Sequence, residues 1–147
     1  MSLRIAALDH DATFLDFLAE VLTDAGYEPS VFTAGIGIHE VLRDLAPAAI
    51  LLDIPDDDAA SSWQALMLLS RDESVRHIPL IVAVRDEPLA RAQIVVHGGP
   101  ATILLAKPYA LDDLLNQIES LTTIHSAVTA RVCEKSVVEG DGRPMVG

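Results

Sequence analysis

Cysteine is almost absent from this sequence, since Cys133 is the sole one in 147 residues. It can close no internal disulfide and has no neighbouring Cys or His at the short spacing of a zinc site, so a free surface thiol is expected. Aromatic residues are also scarce, at 4%, while half of the chain is hydrophobic. The core must then be built from Leu, Ile, Val and Ala, as in sheets covered by helices on both faces. Positive charge is the third shortage. Ten Lys and Arg stand against 22 Asp and Glu, giving a formal net charge of −12 with no basic cluster to offset it locally. Such a chain repels phosphate backbones and anionic lipid surfaces, which argues against direct nucleic-acid binding and membrane association. No window approaches the roughly 20 apolar residues of a membrane span, and a cytoplasmic protein is expected. The length suits one ordinary domain with a sizeable core.

What is present alternates short aliphatic runs with helix-length amphipathic segments, five times over. Strands are expected over Arg4–Leu8, Glu28–Phe32, Ala48–Leu52, Pro79–Val84 and Thr102–Ala106. The third and fourth are continuous apolar runs, which suits strands buried on both faces. Asp11 can cap a helix over Ala12–Ala25 whose Phe14, Leu15, Leu18, Val21 and Leu22 form one stripe, with Gly26 as its stop. Further helices are expected over Ile38–Leu45, ended by Pro47, over Ser62–Ser70, over Pro88–Val96 before Gly98 and Gly99, and from Leu111 onward. Each helix follows a strand, so the crossovers are βαβ units and the sheet is parallel.

In an open parallel sheet, ligands bind beyond the carboxyl ends of the strands, where the strand order reverses. Asp9, Asp53 and Lys107 stand at three such ends. Two carboxylates and one ammonium in one pocket suit a divalent cation and a phosphoryl group, the lysine offsetting phosphate charge. A lone strand-end Asp is often only a helix cap, but the coincidence of all three favours a pocket. Other features carry less. Gly35-Ile-Gly37 lacks the third glycine of a dinucleotide fingerprint and follows the second strand. His39, His77, His97 and His125 are scattered, and Ser61-Ser62 has no base at recognisable spacing, so a hydrolase has no support.

With Asp9 in Ala-Leu-Asp-His-Asp, Asp53 in Ala-Ile-Leu-Leu-Asp, Ile78-Pro79 opening the fourth strand and Lys107-Pro108-Tyr109 after the fifth, the chain resembles the response-regulator receiver family of two-component signalling. The match runs from about Leu3 to Leu121. It implies a flavodoxin-like α/β fold, a doubly wound five-stranded parallel sheet of order 2-1-3-4-5 with five helices. It also implies Asp53 as acceptor of a phosphoryl group from a histidine kinase, Lys107 as phosphate counter-ion, and Mg²⁺ bound by Asp9, Asp53 and the backbone of Pro55.

Three positions depart from the family pattern. His10 stands where a second acid is usual, and Mg²⁺ prefers oxygen, so metal affinity should fall. Val84 replaces the Ser or Thr whose hydroxyl bonds the phosphoryl oxygen. Leu104 replaces the aromatic residue that moves with that hydroxyl, so coupling between pocket and outer face should be small. The run Asp56, Asp57 and Asp58 reads as an exposed acidic loop, one member of which could replace the missing acid.

The resemblance implies a phosphorelay receiver module, weakly phosphorylated on Asp53 or acting independently of phosphorylation as a protein-interaction domain, and not an enzyme. A small Mg²⁺-dependent phosphoryl-transfer enzyme of similar fold is the alternative. The expected partner is a histidine kinase or other signalling protein. Residues 1–121 are expected to form the receiver-like domain and 122–147 a helix extension and disordered tail. The stripe Leu111, Leu114, Leu115, Ile118 and Leu121 continues into Ile124, Val128 and Val132, which points to a homodimer through the last two helices.

Overall fold

The computed structural model describes residues 3–33, 37–55, 60–97 and 101–122. Within them the chain runs β1 (Arg4–Asp9), α1 (Ala12–Asp24), β2 (Glu28–Thr33), α2 (Ile38–Leu45), β3 (Ala49–Asp53), α3 (Ala60–Arg71), β4 (Leu80–Val84), α4 (Glu87–His97) and β5 (Thr102–Ala106). A fifth helix, α5, occupies residues 111–122. All pairings are parallel, and the strands stand in the order β2-β1-β3-β4-β5. This is the doubly wound arrangement expected from the sequence.

Residue chemistry explains the order. β3 up to Leu52 and the whole of β4 are apolar and buried, so they occupy the sheet interior. β2 contains Pro29, which has no N–H to give a second neighbour, and none of its residues is fully buried; it lies at an edge. Side chains alternate between faces along each strand. Ala6, Leu8, Ile50, Leu52, Leu80, Val82 and Val84 meet Leu42 of α2, Leu66 and Leu69 of α3 and Ala90 of α4 on one face. Ile5, Ala7, Ala49, Leu51, Ile81 and Ala83 meet Leu15, Leu18 and Leu22 of α1 and Leu114 and Ile118 of α5 on the other.

The helix ends follow local chemistry. The Asp11 side chain accepts hydrogen bonds from Thr13 N–H at 3.0 Å and Phe14 N–H at 3.2 Å, capping α1. Gly26, at φ +94°, turns the chain out of that helix through a left-handed conformation. Two boundaries matter for function. The first and third strands extend one residue beyond expectation, to Asp9 and Asp53, which pair in register with Thr33 and Ala83. Both carboxylates are thus rooted in the ladder and not in the loops beyond it. Gly98 and Gly99, and the apolar continuation through Ile124, Val128 and Val132, lie outside the described residues.

Leu18 is fully buried between α1 and the sheet, whereas Glu20 faces solvent on the same helix. Leu18→Ala should cost about 2–5 kcal/mol of unfolding free energy, and Glu20→Ala about 0.5 kcal/mol or less, measured by urea denaturation. Equal effects would refute this packing of α1.

Candidate functional site

The order reverses between β1 and β3: from β1 the chain winds outward to β2, and from β3 onward to β4 and β5. Asp9 ends β1 and Asp53 ends β3, so the two carboxylates flank the switch point at the carboxyl edge. Lys107 follows β5, with β4 standing between it and Asp53. Its backbone N–H donates to the carbonyl of Val84 at 2.7 Å. Its side chain then crosses the end of β4, where Nζ donates to the carbonyl of Ile54 at 3.0 Å and pairs with Asp53 Oδ1. The Ile54 N–H in turn donates to the carbonyl of Ala83 at 2.9 Å. Asp53 and Lys107 side chains are only 13% and 17% exposed, so water screens this ion pair weakly.

Asp9 Oδ1 accepts the Asp11 N–H at 3.0 Å. Burial raises the Asp9 carboxyl above its ordinary value, and the charge of Asp53 adds to the rise, against the lowering by the Asp11 N–H. The Tyr109 phenol is pushed up to about 12, by burial first and then by the charges of Asp9 and Asp53, and stays a neutral hydrogen-bond donor. These groups share a cavity of about 420 Å³ with Asp11, Phe14, Phe17 and Arg85. A neighbouring cavity of about 250 Å³ is walled by Ile54, Pro55, Trp63, Val84, Arg85, Asp86 and Leu89.

Asp9, Asp53 and Lys107, identified from the sequence, are therefore brought together. His10 is exposed beside them. Pro55 lines the neighbouring cavity. Val84 is buried in the core on the face that holds α3 and α4, and Leu104 packs against the same cluster, partly buried. Asp56, Asp57 and Asp58 lie outside the described residues. His39 has a structural use, with Nε2 lying 2.6 Å from Asp72 Oδ2 between α2 and the turn after α3. Sequence reasoning missed Arg85, Tyr109, Phe14 and Phe17 as pocket residues. The strand-end rule could have found Arg85, which follows β4 directly, whereas the aromatics depend on how α1 and the turn after β5 lean over the sheet.

The cavity can hold a hard cation and a phosphoryl group in chemical terms. Two carboxylates supply oxygen donors, and the Asp9 carboxyl is raised by burial first and by the charge of Asp53 second, both of which a cation would offset. Among the described residues no group of three or more His, Cys, Asp or Glu could hold a metal ion.

No protein-family model and no curated protein sequence matches the chain. Solved structures do. A response regulator receiver protein from Sinorhizobium medicae superposes with a TM-score of 0.68 at 21% identity, covering 84% of this chain and 97% of that one. The receiver domain of the sensor histidine kinase PA1611 from Pseudomonas aeruginosa, which has a magnesium ion coordinated in its active site cleft, gives 0.69 at 18%, covering 84% and 99%. The chemotaxis protein CheY4 from Vibrio cholerae gives 0.70 at 16%, covering 82% and 99%. The fold is that of the receiver domains of two-component signalling proteins.

The Asp9 shift has a stability consequence. A carboxyl whose folded-state pKa is raised stabilises the fold below its ordinary value near 3.8, and that contribution is lost as pH rises through the raised value. Asp9→Asn keeps an acceptor for the Asp11 N–H and carries no charge. In metal-free buffer it should have a higher urea midpoint than the parent at pH 7, with the gap closing as pH falls toward 3.8. A gap independent of pH would count against this account of the pocket.

Proposed function

We propose that this chain is a receiver module of a two-component phosphorelay in which Asp53 is the phosphoacceptor. The observation that carries the reading is the Lys107 ammonium, held across the end of β4 against Asp53 and the Ile54 carbonyl with Asp9 alongside. A carboxylate oxygen of Asp53 attacks the phosphorus of the donor; the new P–O bond forms as the bond to the donor breaks, and the leaving group takes the electron pair. Lys107 offsets the charge on the phosphoryl oxygens in the transition state.

The receiver domain of PA1611 contains magnesium in its cleft, and Asp9, Asp53 and the Pro55 carbonyl would hold Mg²⁺ here, where it would offset phosphate charge. Affinity is weak because His10 supplies no hard oxygen. Phosphorylation of Asp53 is accordingly weak, or the module signals without it, as a docking domain for a histidine kinase or other signalling protein. No helix among the described residues is long and apolar enough to cross a membrane. The proposed setting is cytoplasmic, and the formal net charge of −12 argues against nucleic acid or an anionic membrane surface as partner.

Incubation with acetyl phosphate and Mg²⁺, followed by intact-mass measurement, tests the chemistry. A slow gain of one phosphoryl group is expected, absent from Asp53→Asn and slowed on the order of a hundredfold in Lys107→Met. His10→Asp should speed labelling at limiting Mg²⁺. Labelling of Asp53→Asn at the parent rate would refute the acceptor assignment, and no labelling of the parent would leave the docking role alone.

Self-association through the last two helices belongs to the same reading. On α4, Leu89, Val95 and Val96 are 52%, 85% and 70% exposed, an apolar set that a second copy would cover. With residues 1–121 as the domain and 122–147 as the extension, sedimentation should show a dimer for the full chain and a monomer for a truncation after Leu121. A monomer in both would refute the dimer.

A further inference from the structure

We infer that Arg85 reads the phosphoryl group on Asp53 in place of the hydroxyl that Val84 lacks, and that in doing so it moves its guanidinium between two adjoining cavities. The inference rests on the reading of Asp53 as phosphoacceptor. It begins with what the end of β4 offers. Val84 is the last residue of the strand, 2% exposed and committed to the core, with no side-chain donor. Arg85 comes next and is exposed. It lines both the acidic cavity of Asp9, Asp53 and Lys107 and the neighbouring cavity of Trp63, Val84 and Leu89.

The backbone beneath Arg85 is held from both sides. The Ala83 carbonyl accepts the Ile54 N–H at 2.9 Å, and the Val84 carbonyl accepts the Lys107 N–H at 2.7 Å. Asp53 is the cross-strand partner of Ala83. The arginine therefore starts from a fixed point near the acceptor, and only its side chain has to move.

Charge gives the motion a direction. Without phosphate, Asp53 carries one negative charge that Lys107 already meets, and the Lys107 ammonium is also bonded to the Ile54 carbonyl. A phosphoryl group brings a charge approaching −2 at neutral pH and three acceptor oxygens. One ammonium cannot satisfy them. A guanidinium is always charged, and its planar fork suits two phosphoryl oxygens at once. Arg85 has an interaction in this state, and a charge-assisted contact to the phosphoryl oxygens would be added in the phosphorylated state only. Such a differential contact is what shifts a two-state equilibrium.

The consequence falls on α3 and α4. Arg85 shares the wall of the neighbouring cavity with Trp63 of α3 and Leu89 of α4, so a guanidinium drawn to the phosphoryl group changes the surroundings of both. This is a route to the outer face that needs neither the hydroxyl missing at Val84 nor an aromatic ring at Leu104. Trp63 is the sole tryptophan of the chain, so its fluorescence reports on this cavity alone.

Beryllofluoride with Mg²⁺, bound to the full chain at Asp53 with occupancy confirmed by native mass measurement, is the test. The parent should show a shift in Trp63 emission. Arg85→Ala, an exposed position whose thermal melting should stay at the parent value, should bind beryllofluoride on the order of tenfold more weakly and lose the emission shift. Arg85→Lys keeps the charge without the fork and should fall between them. Adding Val84→Thr to Arg85→Ala should recover affinity by restoring the hydroxyl donor. Parent-like affinity and emission shift in Arg85→Ala at confirmed occupancy would overturn the inference while leaving the acceptor reading intact. A parent chain that takes neither beryllofluoride nor a phosphoryl group on Asp53 would overturn both.

Discussion

The ammonium of Lys107 is the point on which the carboxyl edge of the sheet depends. Its backbone is bonded to the end of β4 and its side chain to the end of β3, so one residue ties three adjacent strands together. Asp53 would otherwise stand partly buried next to Asp9, two like charges with little water to screen them. The lysine makes that arrangement tolerable, and Asp9 still shows the cost in its raised carboxyl. Partly buried carboxylates, one of them perturbed, paired with a lysine at a strand-end cavity are what the proposed phosphoacceptor role draws on.

The apolar architecture explains why the conflict can be placed there. β4 and all of β3 but its terminal Asp53 are buried, and their side chains are shared between two helical layers. Close packing leaves the polar groups at the strand ends as the part of the central sheet free to do chemistry. Asp53 belongs to the β3–β4 ladder, so its position is set by the sheet and is insensitive to the loop that follows. The same packing turns Val84 into a core residue with no side-chain donor, and Arg85 is the first residue beyond the end of the strand.

The two cavities at the carboxyl edge differ in character. One gathers Asp9, Asp53, Lys107 and Tyr109, the other Trp63, Val84 and Leu89, and Arg85 stands at both. Charge on the first can therefore be felt by the second through one side chain. The receivers that this chain is similar to in fold share its sheet and helices, yet identity with them stays near one residue in five. A fold can persist at that divergence because it needs only the pattern of apolar positions, whereas a site needs particular residues.

The elements and the strand-end positions of the central pocket residues were determined by the sequence alone, because each has a local signature, while the sheet order came from the resemblance to receivers. Continuous aliphatic runs mark buried strands, the Asp11 cap and Gly26 stop bound α1, and strand-end Asp9, Asp53 and Lys107 follow from the topology of any doubly wound sheet. Boundaries shifted by a residue or so, and the shift that matters put both aspartates inside the ladder, which depends on pairing with another strand. Tertiary structure alone decided that Lys107 reaches over β4 to the Ile54 carbonyl, that Asp9 and Tyr109 are perturbed by burial and by shared charge, and that Arg85 borders two cavities. Those facts depend on distances between residues far apart in the chain, and on the water excluded between them, which no local pattern of residue types encodes.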